Sequence, residues 1–266
     1  MRFASLGSGS EGNGLLVETG PGGATAILID CGFGVREAEK RLRALGREPS
    51  SLAAVIVTHE HGDHIRGAFR LAVAHGLPVH LTHGTWRAAQ RGVPAHERAR
   101  ISLIDPHAGF EVGDLRVEPI PVPHDANEPV QFVIDDGRTR LGVLTDLGHG
   151  TAHVVRALSR LDALVLECNH DPSMLAANRR YPPSLKQRIG GAYGHLANAA
   201  AADILGAIDR GRLRRVVAAH LSRENNQPAL ATQALASVLD VNPTEIDIAD
   251  QDGGLAWVDL GAAMHA

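Results

Sequence analysis

The sequence predicts an α/β fold in which two β-sheets pack together and helices cover their outer sides. Three observations carry this. Strand-like and helix-like patterns interleave in both halves of the 266-residue chain, His and Asp stand at the ends of strand-like runs, and no linker, long repeat or low-complexity tract divides the sequence. Short apolar or alternating runs predict strands over 3–6, 15–18, 26–30, 53–58, 79–81, 115–122, 131–135, 141–145, 163–167, 216–219, 246–248 and 255–258. Apolar residues at helical spacing predict helices over 35–45, 65–75, 84–90, 152–161, 197–209 and 228–239. At 44% hydrophobic and a mean hydropathy of -0.06 the chain can bury a full core without staples, so residues 1–266 are read as one domain.

The run 53–58 leads into His59, Glu60, His61, Gly62, Asp63 and His64, which place three imidazoles and an Asp carboxylate within six residues. Imidazole nitrogen with carboxylate oxygen suits zinc, manganese or ferrous iron, whereas calcium prefers oxygen alone. In extended backbone His59 and His61 point the same way, because side chains alternate with period two. A turn through Gly62 then lets Asp63 and His64 face a second position beside the first. His124, Asp146 and His220 each follow a further strand-like run.

The spacing His-x-His-x-Asp-His resembles that of the metallo-β-lactamase superfamily without a departure, and the resemblance covers most of the chain. It implies an αββα sandwich of two mixed sheets. It further implies two divalent metal ions per chain, zinc or manganese with ferrous iron also compatible. His59, His61 and His124 would hold one, Asp63, His64 and His220 the other, and Asp146 would bridge them. Cations about 3.5–4 Å apart bind a hydroxide between them and stabilise charge on a substrate oxygen, which is hydrolytic machinery. The 73 residues between Asp146 and His220 leave no room for the large domain that some nucleases of this superfamily insert there.

Within the compact branch, five segments are similar to the WalJ (YycJ) type of metallo-hydrolase. They are Ser5 to Asn13, His124-Asp125-Ala126, Glu167-Cys168-Asn169-His170-Asp171, Gly194-His195-Leu196-Ala197-Asn198, and His220 to Asn226. Glu11 and Ala197 stand where that type commonly has Ser, which touches substrate detail and no ligand. The type implies DNA exonuclease activity with a divalent metal, manganese foremost. Related tRNA-processing phosphodiesterases pair a Glu with a His at the positions of Glu167 and His195. His195 is therefore expected as the acid that protonates the departing sugar oxygen, with Glu167 orienting it and Asp63 completing the catalytic set.

Substrate contacts are expected from His170, Asn225, Asn226, Ser8 and Asn13, although Asn pairs and the glycine-rich turn holding Ser8, Ser10 and Asn13 are also ordinary turn sequence. Asp30 ends a strand and is a candidate to fix ligand geometry from behind. The remaining His75, His80, His83, His96, His107, His149, His153 and His265 read as surface or helix-end residues.

A net charge of -4 gives no bulk attraction to nucleic acid. Arg179, Arg180, Lys186 and Arg188 lie near Tyr181 and Tyr193, a combination able to hold phosphates and stack bases and equally able to be a solvated loop. Arg210, Arg212, Arg214 and Arg215 read as a helix-end cap. Cys31 and Cys168 end apolar runs and are expected as buried free thiols. With no secretory signal and no membrane-length apolar run, a cytoplasmic address and no membrane partner are expected.

Three functions from different classes compete. A dinuclear phosphodiesterase acting on DNA comes first; a small-molecule hydrolase of a cyclic phosphodiester, thioester or lactone uses the same ligands; a non-catalytic metal or partner-binding module conflicts with the full ligand set and the Glu167–His195 pair.

Overall fold

The alternation written into the strands decides the layers. In β3 (Ala26–Ile29), Ile27 and Ile29 enter one apolar cluster while Ala26 and Leu28 enter another, and in β11 (Ala163–Glu167) Ala163 and Val165 separate in the same way from Leu164 and Leu166. Both of these strands therefore bury both faces, one against the other sheet and one against helices. The computed structural model of the chain describes residues 1–20, 23–94, 98 and 100–261.

Among the described residues the first sheet has seven strands. They are β1 (Arg2–Gly7), β2 (Gly14–Glu18), β3, β4 (Ala54–Ile56), β5 (Pro78–Thr82), β6 (Arg100–Ile104) and β14 (Leu255–Asp259), in the order β14-β1-β2-β3-β4-β5-β6. The second comprises β7 (Phe110–Val112), β8 (Leu115–Pro121), β9 (Val130–Asp135), β10 (Arg140–Leu144), β11, β12 (Arg215–Ala219) and β13 (Asp247–Ile248), in the order β13-β12-β11-β10-β9-β8-β7. Both are mixed: β14 to β3 and β7 to β10 run antiparallel, β3 to β6 and β10 to β13 parallel. Phe3, Ile27, Ile56, Phe132, Val165 and Val217 fill the space between the sheets.

Helices α1 (Val35–Ala44) and α3 (Ala68–His75) seal the first sheet through Ala38, Leu42, Leu71 and Ala72. Helices α5 (Ala152–Ala157), α8 (Asn198–Ala207) and α9 (Pro228–Leu239) seal the second through Val154, Ile204, Leu205, Ala231 and Leu235. This is the expected αββα sandwich. No helix among the described residues is long and apolar enough to cross a membrane.

The structure departs from the sequence reading in a few places. The helix expected over 65–75 is two, α2 (Gly62–Ile65) and α3, separated at Gly67, where a Cβ would lie 2.0 Å from the Phe33 carbonyl. That close approach seats α2 against the loop after β3. The helix expected over 152–161 stops at Ala157. Strands β6 and β7 escaped the pattern because β6 is a largely exposed edge strand and β7 is three residues of a hairpin with β8. The short helices α6 (Pro172–Ala177) and α7 (Pro183–Ile189), each opened by Pro, were also missed, being too short for a period to show. The basic run before β12 caps one helix end, where Arg210 donates to the Val238 carbonyl near the end of α9; Arg212 and Arg214 instead clamp the carboxylate of Asp162.

Candidate metal centre

At one edge of the sandwich β3, β4, β10, β11 and β12 end together, and their terminal residues turn into a common cleft. Asp30, Asp146 and His220 make that turn with φ of 61°, 56° and 55°, left-handed values that cost a non-glycine residue about 1 kcal/mol. Such backbone persists where the surroundings hold it in place. After β4 the chain bends at Thr58 and Glu60, His61 is extended, and α2 begins at Gly62, which carries Asp63 and His64 round to the other side.

The side chains gather in the two expected sets. Ligand atoms of His59, His61 and His124 lie within 4.8 Å of one another, as do those of Asp63, His64 and His220. Asp146 lies between the sets: its Oδ2 is 2.8 Å from His64 Nε2, and its Oδ1 is 3.6 Å from His220 Nε2 and 4.0 Å from His124 Nε2.

Most of these imidazoles are held from behind through Nδ1, which turns Nε2 to the cleft. The partners are the Thr58 hydroxyl for His59 at 3.0 Å, Asp30 for His64 at 2.8 Å, the Gly194 carbonyl for His124 at 3.0 Å, and Glu167 for His220 at 3.4 Å. Asp30 thus does what its strand-end position suggested, and its other oxygen accepts from the Thr58 amide at 2.8 Å. Buried Nε2 atoms of His59 and His220 have no hydrogen-bond partner. Unpartnered buried polar atoms aimed into one cluster are costly, and imidazole nitrogens with carboxylates around them are a donor set that fits divalent metal.

Charge balance gives the same message. Burial opposes a proton on His64, yet Asp146, Asp30 and Asp63 reverse this and hold it well above the usual histidine range. At His220, burial is likewise overcome by Asp146, Asp63 and Glu167, holding the imidazole up at about 10. His59 lacks such a surplus, and burial with its imidazole neighbours keeps it well below the usual value. The carboxylates of Asp63 and Asp146 are depressed despite burial, by the imidazoles around them.

His195 stands beside this double set. Its Nδ1 lies 2.8 Å from Glu167 Oε1 and 3.3 Å from Asp146 Oδ1, and these carboxylates raise its pKa against the effect of burial. Glu167, fully buried at the end of β11, also accepts from the amides of Leu147 at 2.8 Å and Leu196 at 3.3 Å. One carboxylate thereby ties together the residues that follow Asp146 and His195.

The expected substrate contacts divide. His170 is buried and its Nδ1 has no partner. The polar atoms of the others also make bonds within the fold. Asn225 bonds Ser222 and Asn178, while Asn226 bonds Asn198 and the Cys168 carbonyl. Ser8 accepts from the His220 amide at 2.9 Å, and Asn13 Nδ2 reaches Asp63 and His64. Ser8 braces the His220 backbone and Asn13 touches the cleft-facing atoms His64 Nε2 and Asp63 Oδ2, so the glycine-rich turn is part of the site wall.

Sequence reasoning did not single out Asp125, Thr58 or Asn169. Asp125 lies 3.5 Å from His124 Nε2 and 3.9 Å from His61 Nε2, and Asn169 Nδ2 donates to the His220 carbonyl at 3.1 Å. Adjacency to a ligand was the available signal for Asp125. In the basic segment Arg188 pairs with Asp125, Arg180 pairs with Glu224 at 2.9 Å, and Lys186 donates to the Ala176 carbonyl at 2.6 Å; Tyr193 is 62% exposed. His75 pairs with Glu39 and His80 is half-buried against Phe110, an inward position its surface reading missed. His96 and His265 lie outside the described residues.

The profile of the beta-lactamase superfamily domain matches residues 25–221, a span that holds all seven ligand-type side chains, and the chain belongs to that superfamily as a metallo-β-lactamase-fold hydrolase. It is similar to the exodeoxyribonuclease YycJ of Bacillus anthracis, 32% identical over 243 residues covering 90% of this chain and 89% of the relative. Similarity to the exodeoxyribonuclease WalJ of Streptococcus pneumoniae serotype 2 is 30% over 242 residues, covering 90% and 88%. Among solved structures, the metallo-beta-lactamase fold protein YhfI from Bacillus subtilis matches with a TM-score of 0.73 over 97% of this chain and 99% of its own, at 18% identity.

Proposed function

We propose that this chain is a dinuclear metal-dependent phosphodiesterase that degrades DNA from an end, working as one domain. The observation that carries the reading is the buried Glu167–His195 pair beside a double ligand set, 2.8 Å between Oε1 and Nδ1. Similarity to two exodeoxyribonucleases over nine-tenths of the chain supports the DNA substrate. His59, His61 and His124 would hold one cation, Asp63, His64 and His220 the second, with Asp146 shared; zinc, manganese and ferrous iron all suit this donor set.

Cations held there supply positive charge against the phosphate oxygens and a water of lowered pKa. The protein supplies the rest. Glu167 takes the hydrogen bond from His195 Nδ1, which fixes the ring and leaves the proton on Nε2 free to be given away. When the phosphorus–oxygen bond breaks, the sugar oxygen leaves with the bonding pair and takes that proton. The two carboxylates beside His195 keep it cationic until then. His170, with its unpartnered ring nitrogen, remains the candidate substrate contact.

The test is metal-dependent cleavage of end-labelled single- and double-stranded DNA, with bis(p-nitrophenyl) phosphate in parallel, by wild type, Asp146→Ala and His195→Ala protein. Stepwise DNA products that both variants lose are expected. Turnover of the small diester with intact DNA under every metal would overturn the nuclease reading and promote a small-molecule hydrolase.

A further inference from the structure

Beside α4 (His83–Ala89) lies an open cavity of about 530 Å³ whose lining, among the described residues, includes Arg87, Arg91 and Arg98, together with Gln90 and Asn127, and no carboxylate; the Glu128 carboxylate next to it accepts from the Gly84 amide at 2.6 Å. Several arginines elsewhere on this surface meet carboxylates: Arg41 pairs with Glu37, Arg140 with Glu118, Arg180 with Glu224 and Arg188 with Asp125. Arg87 and Arg91 make no ion pair among the described residues, and Arg98 Nε reaches only the Val93 carbonyl at 3.5 Å. Three guanidiniums round one hollow, in a chain of net charge -4, form a local positive well that an anion would fill.

The hollow borders the metal centre. Asn127, on its wall, donates from its backbone amide at 2.8 Å and from Nδ2 at 2.6 Å to Glu60 Oε1, and Glu60 stands between His59 and His61. Asn127 also accepts from Thr85 of α4 through its carbonyl at 3.2 Å, so helix, wall and ligand loop are fixed to one another. In the basic segment on the other side, Arg180 and Arg188 already have their charge matched within the chain.

We infer that this hollow is a phosphate subsite that holds the backbone of the substrate strand away from the scissile bond. The inference rests on the phosphodiesterase reading above. Guanidinium forks bind phosphate oxygens in pairs, and successive phosphates of one strand present a row of such anions. A strand whose reacting phosphate lies at the ligand cluster runs past His61 and sets a later phosphate among Arg87, Arg91 and Arg98. Short substrates do not reach it.

The experiment compares metal-loaded wild type, Arg87→Ala/Arg91→Ala and a charge-matched control, Arg36→Ala/Arg116→Ala, all read for folding by circular dichroism. Turnover is measured on bis(p-nitrophenyl) phosphate, a dinucleotide and a labelled 12-nucleotide single strand, with binding of the 12-mer followed by fluorescence anisotropy across salt and binding of inorganic phosphate by calorimetry. In the double variant we expect the small diester and the dinucleotide to be cleaved as by wild type. The 12-mer should show a KM about 10-fold higher and a salt slope smaller by about 1.4, two phosphate contacts for a single strand. Identical KM and slope in wild type and double variant overturn the subsite while leaving the nuclease reading intact, and so does phosphate binding that is lost without any change on DNA. If wild type cleaves the small diester and no DNA, the nuclease reading falls. The subsite is then supported if anisotropy binding of the 12-mer still needs Arg87 and Arg91, and overturned if it does not.

Discussion

Glu167 has no exposed surface and is the point on which His195, His220 and the amide after Asp146 converge. Replacing His195 with Ala should lower turnover about 10²- to 10⁴-fold, the usual share of a general acid, while metal content measured by atomic absorption stays at the wild-type level. Glu167→Gln should lower kcat and move the basic limb of the pH–rate profile down, because the neutral amide no longer supports the imidazolium; an unmoved limb would deny Glu167 its orienting part. Away from the chemistry, burial pushes the Cys31 thiol up to about 12 and raises Cys168 further still. Between the unfolded thiol's value and these, the folded state keeps a proton the unfolded state has lost, so above about pH 9 each thiol removes stability as pH rises, by up to about 1.4 kcal/mol per unit. Urea unfolding at pH 8 and pH 10.5 should show a smaller loss for Cys168→Ala than for wild type. The candidate ligands were legible in the sequence because His59 to His64 form one local pattern and the other three close apolar runs. The bracing residues were not, since Ser8 meets His220 and Asn13 meets His64 across long stretches of chain that no spacing reveals.

Elements place the site through close backbone approaches. A Cβ at Gly32, in the loop after β3, would stand 1.7 Å from the carbonyl oxygen of Asp63 in α2. Gly32→Ala should therefore push α2 outward, cost about 3 kcal/mol in chemical unfolding, and weaken binding at the Asp63 set more than at the His59 set in a two-site metal titration. Equal loss at both sets would show that α2 moves with the whole loop. The same approaches explain what pattern reading sees in elements. Two-fold alternation exposed β3 and β11, whose faces differ in what they bury, but the split at Gly67 depends on the Phe33 carbonyl, 34 residues earlier in the chain. Three-residue β7 and the Pro-opened α6 and α7 lack enough turns or pleats for any period to register.

The two sheets share one interior, and the N-terminal sheet is fastened by charge as well as packing. Glu18 of β2, fully buried, takes Arg2 of β1 and Arg47 together, and the Arg2 guanidinium lies 4.1 Å from the ring centroid of Trp257 in β14. Glu18→Ala strands two guanidiniums and should cost about 3–5 kcal/mol in guanidinium chloride unfolding, with kcat/KM unchanged well below the transition. Stripping metal with a chelator should also lower Tm, since cation at 100 times its Kd adds about 2.7 kcal/mol, and adding it back should restore Tm and turnover together. β14 is the last described strand, and it pairs with the first. On the ribosome, the edge of β1 stays open until Leu255–Asp259 has emerged to pair with it. His59 to His64 leave the exit tunnel well before Asp146 and His220 do. A nascent chain therefore carries half of the candidate ligands on an unfinished sheet, and the two sets can come together only once His220 has followed.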